Sequence, residues 1–87
     1  MAQQQMEKHQ YNFSIMNFRT GKSRCKTFWG IGKDENECRI EARKQAKAYA
    51  SKLTDEAYNK ACLKEKSNYL PSRSSYEFDV VGCTLMK

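Results

Sequence analysis

Eighty-seven residues allow one domain, and a chain of that size buries only roughly 60–65% of the surface its unfolded form exposes, so the core is thin. With 39% apolar and 30% charged residues, no stretch approaches the ~18 consecutive apolar residues of a membrane span, and there is no room for a doubly wound sheet around a deep cleft. The formal net charge of +6 favours polyanionic partners, either nucleic acid or an acidic protein or nucleoprotein complex.

The charge is uneven: residues 1–33 carry six Lys or Arg against a single Glu. Residues 1–9 read as a flexible polar tail without the apolar core of a secretory signal, and residues 10–87 as one α+β domain. No export signal implies a cytoplasmic setting, in which Cys25, Cys38, Cys62 and Cys83 stay reduced. Their wide, uneven gaps do not suit a zinc site, so they read as small buried hydrophobes, with disulfides the weaker alternative.

Tyr11, Phe13 and Ile15 alternate with Asn12 and Ser14, the period-two pattern of a half-buried strand. Met16 and Phe18 break the parity, which implies a bulge or an outer face covered by a partner. Thr20-Gly21-Lys22-Ser23 is turn chemistry, with Gly21 able to supply a positive φ. A second strand over Arg24–Ile31 completes a hairpin, with Cys25, Thr27, Trp29 and Ile31 on one side and Arg24, Lys26 and Phe28 on the other. Trp29 is assigned to the core with Tyr11, Phe13, Ile15 and Phe78.

Gly30-Ile31-Gly32-Lys33 ends that strand and delivers the chain to a helix. Asp34 with Glu37 three residues on has the form of a capping box. Cys38, Ala42, Ala46, Tyr49 and Leu53 then share one face at about 100° per residue, and the alanines at 42, 46 and 50 let the helix lie close to a sheet. Thr54-Asp55-Glu56 resembles a new helix start, so the helical stretch from Asp34 to Lys66 is expected to kink or break there, with Ala57, Ala61 and Cys62 continuing the stripe. A loop over Glu65–Ser75 contains Pro71. The last strand spans Tyr76–Met86, with Gly82 marking a second bulge. The order β-β-α-(α)-β implies a small, mainly antiparallel three-stranded sheet covered on one face by a long helix.

Catalytic signatures fail on spacing. Gly21-Lys22-Ser23 lacks the first glycine of a phosphate-binding loop, since that position is Met16, and a strand follows rather than a helix. Gly30-Ile31-Gly32 has Glu35 where a dinucleotide fingerprint needs a third glycine. His9, the single histidine, sits in the tail, and Glu37 and Glu41 belong to a solvated helix flank. The expectation is a non-enzymatic binding protein without metal or cofactor.

The basic residues carry more information. Arg39, Arg43 and Lys47 form an i, i+4, i+8 ridge, and Arg19, Lys22, Arg24 and Lys26 cluster on the hairpin with Phe18 and Phe28 among them. Cations beside aromatics suit nucleic acid, with phosphates taking the charge and bases stacking on rings, so Arg19, Lys22, Arg24, Lys26, Phe28, Arg39, Arg43 and Lys47 form the candidate site. Over about a quarter of the chain, Gly30-Ile31-Gly32-Lys33 followed by Arg39-Ile40-Glu41-Ala42-Arg43 resembles the end of a double-stranded-RNA-binding domain. That resemblance implies a glycine turn and basic helix start that engage phosphates. The alternative is a phage- or mobile-element-type inhibitor or adaptor that docks on a host protein complex, with a homodimer as one form it could take. It rests on Met16, Phe18, Phe28, Ile40 and Val81 as surplus apolar surface.

Overall fold

The computed structural model describes residues 6–64 and 72–86. Strand β1 (Glu7–Asn17), strand β2 (Ser23–Gly32), helix α1 (Glu35–Lys64) and strand β3 (Phe78–Met86) follow in that order, with a single 3-10 turn at Arg73–Tyr76 before β3. The sheet is antiparallel in the order β2-β1-β3, so the first strand is central, and α1 covers one face. This is the α+β arrangement read from the sequence. Residues 7–9, expected to be tail, belong to β1 and pair with Gly30–Gly32. The loop expected around Pro71 falls mostly in 65–71, outside the described residues.

The hairpin closes as its residues dictate. Asn17 donates its N–H to the Lys22 carbonyl at 2.8 Å, Gly21 donates to the Asn17 carbonyl at 2.8 Å, and Gly21 adopts φ 74°. Residues opposite one another in a ladder share a face. Tyr11 faces Phe28, Phe13 faces Lys26 and Ile15 faces Arg24, so the helix side of β2 runs Arg24, Lys26, Phe28, Gly30, Gly32. That parity corrects the placement of Trp29. Phe28 enters the core, edge-on to Phe13 at 6.1 Å and to Tyr49 at 6.0 Å, while Trp29 lies on the open face and stays 48% exposed.

The glycines explain why. A Cβ on Gly30 would stand 1.7 Å from the Cys38 carbonyl oxygen, and one on Gly32 would stand 2.5 Å from Glu37 Cβ. The first turns of α1 therefore rest directly on the backbone of β2 at the glycines, and Trp29 and Ile31, of the opposite parity, point to the other face. Asp34 caps the helix as expected, but the return bond of the box goes to Lys33, one residue before the N-cap, rather than to Asp34. Glu37 N–H donates to Asp34 Oδ1 at 2.9 Å, and the Glu37 carboxylate accepts from Lys33 N–H at 2.7 Å.

The buried line along α1 is Cys38, Ala42, Ala46, Ala50 and Thr54, with Tyr49 and Leu53 half-buried beside it. An i+4 ridge is inclined to the helix axis, so burying it carries α1 diagonally from the end of β2 to the start of β3. No break occurs at Thr54. Its hydroxyl, 2% exposed, donates to the Ala50 carbonyl at 2.9 Å and accepts from Phe78 N–H at 2.9 Å. The residue expected to start a new helix instead pins the first residue of β3 to the continuous α1.

Met16 pairs in register with Ser23, so β1 has no bulge there, and Met16 simply joins the open face with Gln10, Asn12 and Ser14. The bulge lies where Gly82 suggests: Ile15 pairs with Val80 and Ser14 with Gly82, leaving Val81 as the extra residue. The slip brings Phe78, Val80, Cys83 and Leu85 onto the helix side together. The cysteines are not uniformly buried. Cys38 is buried, Cys62 half-buried, and Cys25 and Cys83 exposed, all four as free thiols. Among the described residues no helix is long and apolar enough to cross a membrane.

Candidate nucleic-acid interface

The fold divides the eight residues singled out in the sequence. Arg39, Arg43 and Lys47 lie along the β3 side of α1. Arg39 and Arg43 line a groove with Val80, Val81, Gly82 and Cys83, and Lys47 reaches Asp79 at 2.8 Å. Arg19, Lys22, Arg24 and Lys26 lie at the hairpin turn and along β2, the opposite edge of the sheet. Phe28 leaves the candidate site, since its half-buried ring packs inward against the core.

Around the hairpin turn the cations are held by aromatic rings. The Arg19 guanidinium carbon lies 4.6 Å from the Tyr76 ring centre, Arg24 lies 5.7 Å from Phe78, and the Lys26 ammonium lies 4.8 Å from Tyr49. Arg24 and Lys26 have inward parity, but their stems run over these rings and carry the charge to the edge, as long basic side chains do. Phe18, at the start of the turn, is 52% exposed, and its N–H is fixed to the Glu77 carbonyl at 3.1 Å.

The last turns of α1 run beside this turn. Arg19, Lys60 and Lys64 line one groove with Tyr76, Lys22 and Arg24 line the next with Phe78, and Arg24 and Lys60 share a third with Glu56. These grooves share walls, so Arg19, Lys22, Arg24, Lys60 and Lys64 form one surface. The carboxylates nearby are Glu56 and Glu77, while Asp55 is occupied by Arg73 at 2.6 Å. The opposite end collects Glu7, Asp34, Glu35 and Glu37 around the start of α1, against Lys8, Lys33 and Arg39. The molecule is therefore strongly basic at the hairpin-turn end and only weakly acidic at the other. This corrects what the double-stranded-RNA-binding resemblance implies, because the start of α1 is acidic and its glycines are filled by helix packing.

Lys60 and Lys64 were not among the candidates from sequence. Their i, i+4 spacing is visible there, but its meaning depends on the hairpin turn arriving beside the end of α1. Tyr76, which carries Arg19, was likewise placed only as a strand residue, and Phe78, which carries Arg24, only as a core residue of the last strand.

On the ridge, the Lys47 hydrogen bond holds the Asp79 carboxyl below its ordinary range, aided by Val80 N–H and opposed by partial burial. Burial pushes the Cys38 thiol up, and it pushes Cys83 up despite the nearby Arg39 and Arg43. Those shifts run opposite to the activation a nucleophilic thiolate requires. Among the described residues no group of His, Cys, Asp and Glu side chains is arranged to hold a metal ion. No family model, curated protein or solved structure matches the chain.

Proposed function

We propose that the protein is a non-enzymatic binding module that grips a nucleic-acid backbone with its hairpin-turn end. The observation that carries this reading is the convergence of Arg19, Lys22, Arg24, Lys60 and Lys64 from a turn, a strand and a helix end, with the acidic groups gathered at the other end. A field oriented along the molecule steers a polyanion to one end. Arg19 and Arg24, seated on Tyr76 and Phe78, lose less side-chain freedom when they meet a phosphate. Exposed Phe18 beside Arg19 offers a face for an unpaired base.

The test is a titration of fluorescently labelled duplex and single-stranded 20-mers at two salt concentrations. If all five cations meet phosphates, raising salt from about 50 to about 200 mM weakens duplex binding by about 500-fold and single-strand binding by about 100-fold. Affinity that ignores salt removes the reading.

A second reading, an inhibitor or adaptor that docks on another protein, is favoured by exposed Trp29, Ile31 and Met86 on the sheet face that α1 does not cover. Such a contact would survive nuclease treatment, whereas capture through nucleic acid would not.

A further inference from the structure

We infer that the free edge of β3, together with the groove between it and α1, is a binding site for an extended acidic peptide that adds to the sheet as a fourth strand beside Gly82–Met86.

The two sheet edges are not equivalent. Helix α1 leans toward β2. Strand β2 is likewise an edge of the sheet, but its second half lies against α1 at Gly30 and Gly32, and Gln45 already holds its Trp29 carbonyl at 2.9 Å. Strand β3 has no neighbour on its outer side among the described residues. Its first half is closed by other means: Asp79 Oδ1 accepts from Val80 N–H at 2.8 Å and from Lys47 at 2.8 Å, and the Val81 bulge interrupts the ladder. Bulges and capped N–H groups are the usual devices that keep an edge from pairing. After the bulge those devices stop, leaving five residues of regular strand, Gly82–Met86.

Beside that stretch lies a groove of about 450 Å³. Its apolar walls include Ile40, 48% exposed, and Val81, 47% exposed. Its charged walls are Arg39 and Arg43, neither with a carboxylate partner among the described residues. An unpaired strand edge asks for a polypeptide backbone, since it presents alternating N–H and C=O groups that a phosphodiester chain cannot match. The apolar walls ask for alternate side chains on the helix side, and the two guanidinium groups ask for carboxylates among them. A second copy fits poorly. Pairing β3 with β3 would extend one sheet with both helices on the same side, bringing two Arg39–Arg43 pairs toward each other.

The probe is the capped, labelled peptide Thr-Glu-Thr-Val-Thr-Glu-Thr, compared with a version bearing Lys for Glu and one N-methylated at its interior amides. Anisotropy gives the affinity, and amide shifts in ¹⁵N spectra of the full chain locate the contact. The acidic peptide should bind with amide shifts centred on Gly82–Met86, and both control peptides should fail. Arg39→Glu with Arg43→Glu should weaken it by about tenfold or more, with Arg39→Gln and Arg43→Gln as a milder pair should the first misfold. Lys60→Gln with Lys64→Gln should leave it unchanged. No binding at about 1 mM peptide, or equal binding by the N-methylated version, overturns the inference. So does a concentration-dependent dimer whose contacts map to Gly82–Met86, or competition at that stretch by a nucleic-acid 20-mer.

Discussion

Gly30→Ala tests the packing of α1 on β2 more sharply than any other single substitution. A Cβ at this position would stand 1.7 Å from the Cys38 carbonyl oxygen and 2.6 Å from its carbon, both backbone atoms. An unstrained carbon–oxygen contact needs about 3.3 Å, so the start of α1 must retreat by about 1.6 Å or the strand must distort. The retreat would pull Cys38 and Ala42, both fully buried, away from Tyr11 and Phe13 and open a gap too narrow for water. Overpacking of this kind costs about 3 kcal/mol or more, against about 4–13 kcal/mol for the whole stability of a chain this long. The entropy that alanine removes from the unfolded chain works in the other direction but is worth only about 0.4–1 kcal/mol. Gly82→Ala is the internal control, because its Cβ would meet only Ser14 Cβ at an ordinary 3.5 Å. Urea unfolding followed by circular dichroism gives both values. If Gly30→Ala unfolds within about 0.5 kcal/mol of the parent, the helix does not rest on the strand as described.

Thr54→Val keeps the shape but strands Phe78 N–H, so it should cost about 1–3 kcal/mol by the same urea assay, while Thr54→Ser should cost less. The Asp79 carboxyl is depressed in the folded state by Lys47, so this pair contributes stability above the unfolded carboxylate value near 4 and loses it as pH falls through the lower folded value. Lys47→Met should therefore destabilise the chain by at most about 1 kcal/mol at neutral pH, and the difference from the parent should vanish in acid. With a thiol reagent at neutral pH, Cys25 and Cys83 should react in the folded chain, Cys83 the slower because burial raises its thiol, and Cys38 only on unfolding.

Local chemistry was legible in the sequence. The Gly21 turn, the Asp34–Glu37 cap, the alanine line at 42, 46 and 50, and the Gly82 bulge each depend on residues within a few positions of one another. Errors arose where a distant partner decides. Phe28 and Trp29 are adjacent and both aromatic, so alternation alone leaves open which faces inward. The glycines at 30 and 32 share the parity of Phe28, and α1 resting on them decides it. Thr54 has the composition of a helix start, but its hydroxyl is claimed by Phe78, 24 residues away. The basic residues were found, but a sequence does not show which edge each side chain reaches. Arg39, Arg43 and Lys47 therefore separate from Arg19, Lys22 and Arg24, and Lys60 and Lys64 take their place beside the turn.

The most direct measurement of the proposed function is the slope of log affinity against log salt for a duplex 20-mer, compared across three proteins. The parent should give a slope of about −4.5, one phosphate for each of the five cations at the hairpin-turn end, and the triple variant Arg19→Gln, Lys60→Gln, Lys64→Gln should flatten it to about −2. Arg39→Gln with Arg43→Gln should leave the slope where it was. A slope that flattens with the ridge variant and holds with the hairpin-end variant would contradict the account.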